Sequence, residues 1–126
     1  MNWYKKSQSG IRLWLDDERD PKNPQIQRDF GSTGNEVWVK TQNEAIQQIQ
    51  NNNVMSISFD NDLGEPESEK GSGYGLAKWI EEKAFFGEIK RMEWYIHSKN
   101  NVADKYILMA MQKAEEFWNN NENNPI

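Results

Sequence analysis

Three polar clusters stand directly behind short apolar runs, and their residue types could do chemistry together. Asp16-Asp17 follows residues 11–15 (IRLWL), Asp60-Asn61-Asp62 follows residues 54–59 (VMSISF), and His97-Ser98 follows residues 92–96 (MEWYI). Carboxylates brought together repel one another, and taking them out of water is costly unless a cation or shared protons offset the charge. A divalent ion held by Asp16, Asp17, Asp60 and Asp62 is the simplest offset. A hard cation held by several carboxylates with open water positions is also the usual arrangement for phosphate chemistry. Taken singly, each motif is ordinary, since Asp-Asp or Asp-x-Asp behind a strand is often a turn or a helix cap. Their coincidence at the ends of strands expected to be neighbours argues for a site.

His97 is the only histidine. Its imidazole titrates near neutrality, which makes it a general acid or base candidate opposite the acidic cluster; the competing reading is a strand-end residue held by local hydrogen bonds. On the catalytic reading Asp60 or Asp62 serves as base or nucleophile, His97 protonates a leaving oxygen and Ser98 bonds a phosphate oxygen. Arg19 and Lys99 are the cations nearest the clusters in sequence and are candidate phosphate contacts, with Asn100 beside them. The run 71–75 (GSGYG), with Gly73 at its centre, is a candidate for presenting backbone N–H groups to an anion at a helix N-terminus. The preceding residues 65–70 read as a surface loop.

The elements that must position these residues follow from the hydrophobic pattern. The runs 11–15, 54–59 and 92–96 are short, rich in β-branched or aromatic residues and closed by polar ones, which predicts buried strands. Residues 36–40 (EVWVK) are more amphipathic and suit an edge strand. Thr41 and Glu44 form a capping box, behind which Ala45, Ile46 and Ile49 share a helical face. Leu76, Ile80 and Ala84 mark a second helix ending near Gly87. Ala103, Tyr106, Ile107, Ala110, Ala114 and Phe117 mark a third, capped by Asn100 or Asn101. Strands alternating with helices predict a parallel sheet with right-handed crossovers. In such sheets ligands bind beyond the carboxyl ends of the strands, where all three clusters lie. Residues 20–35 carry Pro21, Pro24, Gly31 and Gly34, so any helix there is short.

Composition narrows the function classes. A chain of 126 residues is one ordinary domain, expected over 11–118 with an N-terminal extension at 1–10 and a disordered polar tail at 119–126. Its mean hydropathy of -1.01 is low, largely because of Asn and Gln. With no cysteine and one histidine, thiolate and multi-imidazole zinc sites are excluded, and any metal is held by oxygen, as magnesium, manganese or calcium would be. A net charge of -5 without a basic run argues against a broad grip on duplex DNA or an anionic membrane. A small phosphorylated ligand stays open, because a bound metal reverses the local field. No run of the sequence approaches the length of a membrane span or the core of a signal peptide, so the cytoplasm is the expected location.

The motifs Leu15-Asp16-Asp17-Glu18-Arg19-Asp20-Pro21, Ser58-Phe59-Asp60-Asn61-Asp62-Leu63-Gly64, Gly73-Tyr74 and His97-Ser98-Lys99-Asn100 together resemble the cyclic-phosphate processing, receiver-like domains. These look like an offshoot of the response-regulator receiver fold. The resemblance runs from Ile11 to about Trp118. It implies an α/β, flavodoxin-like three-layer fold with a short parallel sheet of about four strands in the order 2-1-3-4. It implies magnesium or manganese on Asp16, Asp17 and Asp60, with Asp62 at the position whose carbonyl joins them, and it likens Ser98 to a receiver's hydroxyl residue. The implied function is a metal-dependent phosphoesterase acting on a cyclic phosphate of a nucleotide or RNA end. The alternatives are a signalling receiver phosphorylated on Asp60 and a non-catalytic receiver-like binding module. Three departures stand out: Asn61 occupies a position where the pattern expects His, the pattern expects Gly near Ala103, and no fifth strand with its lysine follows the last helix.

Overall fold

The computed structural model describes residues 10–60, 73–97 and 101–123. Its elements run β1 (Ile11–Leu15), α1 (Pro24–Phe30), β2 (Val37–Val39), α2 (Gln42–Asn51), β3 (Val54–Phe59), α3 (Gly73–Phe85), β4 (Glu93–Ile96) and α4 (Asn101–Asn123). All strand pairs are parallel and the sheet order is β2-β1-β3-β4. This is the expected α/β receiver-like (flavodoxin-like) architecture.

The sheet's two faces differ because side chains alternate along each strand. Leu13 and Leu15 on β1 lie level with Ile57 and Phe59 on β3. Together with Ala45, Ile49, Leu76, Ile80, Ile107 and Met111 they form the hydrophobic core under α2, α3 and α4. The opposite face carries Trp14, level with Trp38 on β2 and Ser58 on β3. There the short α1 supplies Phe30, whose ring meets His97 edge-on. A cavity of about 440 Å³ remains on this face, bordered by Arg12, Ser56, Ser58, Tyr95, Thr33 and His97.

Local chemistry sets most boundaries. Thr41 Oγ1 accepts the Glu44 N–H at 3.1 Å while Glu44 reaches back to the Lys40 N–H at 2.9 Å. The reciprocal bond of the expected capping box thus falls one residue earlier. Asn23 caps α1 ahead of Pro24, and Gly31, at φ 86°, ends it in the left-handed region that favours glycine.

Two expectations are corrected. The polar stretch after Trp118 is not all tail, since α4 continues to Asn123. Tertiary contacts carry the helix past its apolar face: Arg91 reaches Asn119 and Glu122, and Asn121 donates to the Ala84 carbonyl. Residues 124–126 and the extension 1–9 lie outside the described residues. Tyr106, expected on the apolar stripe, is 56% exposed, and the buried stripe is Ile107, Ala110, Met111, Ala114 and Trp118. Tyr106 falls just off that stripe and meets the ring of Tyr74 instead. Among the described residues α4 is the last element.

Candidate metal centre

The parallel ladder carries on for one rung past each strand, and that rung places the site. Asp16 N–H bonds the Val39 carbonyl, Asp60 N–H the Leu15 carbonyl and His97 N–H the Phe59 carbonyl, at 3.1, 2.9 and 2.9 Å. Three candidate site residues, one behind each of three strands, are thereby fixed by backbone at one edge of the sheet. Asp16, Asp17 and Asp60 each bring one carboxylate oxygen to within 4.8 Å of the others. Asp16 and Asp60 are buried and Asp17 is half-buried.

Among the described residues, four donors grip Asp16. Its Oδ1 accepts the N–H groups of Glu18 and Arg19, both at 2.9 Å. Its Oδ2 accepts Arg19 Nη1 at 3.1 Å and His97 Nε2 at 3.0 Å. Burial pushes this carboxyl up, but the bonds from His97, the Arg19 and Glu18 backbone and the Arg19 side chain outweigh it and hold it below the ordinary aspartate range. The turn after β1 is pinned by two indoles: Trp14 Nε1 donates to the Arg19 carbonyl at 2.9 Å and Trp38 Nε1 to the Asp16 carbonyl at 2.6 Å.

The sequence places His97 within reach of a phosphate, whereas the structure places it beneath the carboxylates. Its side chain is only 2% exposed, and its ring stacks on Trp14 with centroids 3.7 Å apart. Burial, the largest influence, pushes the imidazole below its ordinary value; Asp16 acts in the opposite sense without overcoming it. A neutral ring facing an ionised carboxylate must carry its proton on Nε2 and donate to Asp16. Nδ1 then accepts from Ser58 Oγ, 2.7 Å away. The contact with Asp16 is therefore a hydrogen bond donated by a neutral ring rather than an ion pair. A histidine with both nitrogens engaged fixes a carboxylate, as partners of ligands do in metal sites.

The donor set fits a hard divalent cation: three carboxylates converge and no thiolate or free imidazole competes. Asp16, Asp17 and Asp60 would hold it. Arg19 stands among them, with Nη1 also 3.7 Å from Asp60 Oδ1 and its guanidinium 4.3 Å over the Phe30 ring. The structure thus brings together Asp16, Asp17, Asp60, Arg19 and His97. Gly73, the remaining described candidate, is buried as the first residue of α3. Asp62, Ser98, Lys99 and Asn100 lie outside the described residues.

Comparison with known families decides the lineage. Residues 11–113 match the cyclic-phosphate processing receiver domain. The chain belongs to this family. No curated protein and no solved structure shows significant similarity to it. In this receiver domain the acidic edge lies where the fold class binds its ligands, beyond the carboxyl ends of β1 and β3. Sequence reasoning missed the layer under the site: Ser58, Trp14, Trp38 and Phe30 look like ordinary strand and helix residues. The only available signal was alternation, which turns Trp14 and Ser58 to the same face as each other and away from Leu13, Leu15 and Phe59. No helix among the described residues is long and apolar enough to cross a membrane.

Proposed function

We propose that this receiver domain is a divalent-metal-dependent phosphoesterase that opens a cyclic phosphate on a nucleotide or RNA end. The observation that carries the reading is the convergence of Asp16, Asp17 and Asp60 at the carboxyl edge of the sheet, in a chain of the cyclic-phosphate processing receiver family. When bound, a magnesium or manganese ion supplies Lewis-acid polarisation of a phosphoryl oxygen and orders water.

The chain's own groups supply the rest. Opening the ring requires water to add at phosphorus, one ring P–O bond to break, and the proton taken from that water to end on the departing oxygen, which stays on the same molecule as a hydroxyl. Asp60, held at the end of the central strand β3 and 4% exposed, is the proposed base for that water, with Asp62 the other candidate. Arg19 offers a planar guanidinium that suits the charge developing on phosphoryl oxygens. Ser98, Lys99 and Asn100, directly after His97 in sequence, are proposed to contact the phosphate. His97 holds Asp16 in place, which moves its proposed role from proton donor to positioning residue. The acidic surface, with a net charge of -5, favours a small ligand or a nucleic-acid end over duplex DNA.

The test is to follow 2′,3′- and 3′,5′-cyclic nucleotides by ³¹P NMR with protein and magnesium or manganese. The expected result is a monoester peak that disappears with EDTA and in Asp60→Asn. Failure to open either ring type with either metal refutes the reading. A second reading, phosphorylation of Asp60 in signalling, is favoured by the buried position of Asp60 at the end of a central strand. It predicts a stable mass gain of one phosphoryl group after treatment with a small acyl phosphate.

A further inference from the structure

The four donors on Asp16 leave it little room for an ion. A carboxylate offers about four lone-pair sites, two on each oxygen. Glu18 N–H and Arg19 N–H take those of Oδ1, and His97 Nε2 and Arg19 Nη1 take those of Oδ2. A cation that takes an Asp16 oxygen must displace one of them. The two backbone donors sit in the turn pinned by Trp14 and Trp38. The His97 ring is stacked, buried and tied to Ser58. Only the Arg19 side chain can leave without unpacking the fold: it is 29% exposed, and its guanidinium is held by Nη1 and by the face of Phe30. It also spans two members of the cluster, lying 3.1 Å from Asp16 and 3.7 Å from Asp60.

We propose that the Arg19 guanidinium is the resident counter-ion of the acidic cluster, that it gives up Asp16 and Asp60 when a divalent ion binds, and that it then takes the anionic phosphate of the substrate. The inference rests on the reading of the cluster as a metal centre. Without the ion, Arg19 offsets the repulsion that several carboxylates at one edge create. Its departure is a cost charged against metal binding, so the ion binds more weakly than the carboxylates alone would allow. A phosphate returns a partner to the freed guanidinium, so metal and phosphate bind cooperatively. Couplings of this kind are typically about 5–150-fold in affinity.

The test is calorimetric titration of the full, metal-free chain with manganese, for the wild type, Arg19→Met and Lys22→Met. Lys22 is exposed, and its replacement removes the same charge without touching the carboxylates. Arg19→Met is expected to bind manganese about tenfold tighter or more and to melt below the wild type without the ion. Lys22→Met is expected to match the wild type. Adding inorganic phosphate should tighten manganese binding by the wild type and much less by Arg19→Met. If the wild type binds manganese but Arg19→Met binds no tighter, displacement is wrong and the metal centre stands. An equal gain in Lys22→Met also overturns it, since loss of charge alone would then explain the change. If no variant binds manganese, the metal centre fails and the inference with it. Should Arg19→Met not fold, the Arg19 Nε–Hε resonance of the wild type decides: saturating magnesium shifts it if the guanidinium departs, and an unmoved resonance overturns the proposal.

Discussion

Replacing His97 tests the layer beneath the carboxylates. Its side chain is 2% exposed and stacked on Trp14, so His97→Ala empties a ring-sized space; comparable aromatic truncations cost about 3–5 kcal/mol. Imidazole is smaller than a phenyl ring, which points to the low end. Ser58 Oγ loses its acceptor, and Asp16 Oδ2 keeps only Arg19. A buried group left without a partner costs about 1–3 kcal/mol, but Asp16 retains three donors and Ser58 is half-buried, so that addition is small. The expected loss is about 3–4 kcal/mol, on the order of 10–15 °C in Tm for a domain of this size. His97→Phe keeps the stack and most of the volume, so it isolates the hydrogen bonds and should lose about 1–3 kcal/mol. Both variants should weaken manganese binding by about 10–100-fold, as changes to the partners of metal ligands typically do. Urea unfolding with unchanged m-value gives the first quantity and calorimetry the second. If His97→Ala loses less than about 1 kcal/mol, or if both variants bind the ion as the wild type does, His97 does not position Asp16. The role at the substrate suggested by the sequence would then return.

Further expectations follow from the same contacts. Asp60→Asn should abolish the rise in Tm that millimolar magnesium gives and that EDTA reverses, because stabilisation by a ligand requires binding to the native state; Asp17→Asn should reduce it. Without metal, stability should fall on acidification. The folded pKa of His97 lies below its ordinary value of about 6.5, so its contribution is complete above that pH and lost as pH falls towards the folded value. The folded pKa of Asp16 is likewise lowered, adding a second loss below about pH 4. In His97→Phe the first of these losses should vanish from the urea-measured pH profile and the second should shrink, because the His97 bond is the leading influence that holds the Asp16 carboxyl down. Deleting residues 119–126 should cost about 1–2 kcal/mol in urea unfolding, since the Arg91 contacts with Asn119 and Glu122 that it removes are exposed and worth little, and the part-buried bond from Asn121 to the Ala84 carbonyl adds about 1 kcal/mol.

The central strands were legible because burial on both sides leaves a continuous apolar run, and β1 and β3 begin and end as the sequence indicates. The edge strand β2 is shorter than its pattern, at three residues, since pairing on one side alone does not sustain its ends. The end of α4 was not legible, because Asn119, Asn121 and Glu122 are polar and their reason for being helical is contact with Arg91 and Ala84 far away in the chain. At the site, the convergence of Asp16, Asp17 and Asp60 followed from strand order. The role of His97 did not: it depends on a bond spanning 81 positions to Asp16 and on a stack against Trp14. Arg19 was visible as a nearby cation, but its occupation of the carboxylates depends on the turn geometry that folds its own amide back onto Asp16.

The most direct test of the metal centre is an anomalous difference map from crystals grown with manganese. A single strong peak among Asp16, Asp17 and Asp60, with the Arg19 guanidinium moved off Asp16, is the result predicted here. A map with no peak at the acidic edge at saturating manganese, and Arg19 still bonded to Asp16, would contradict it.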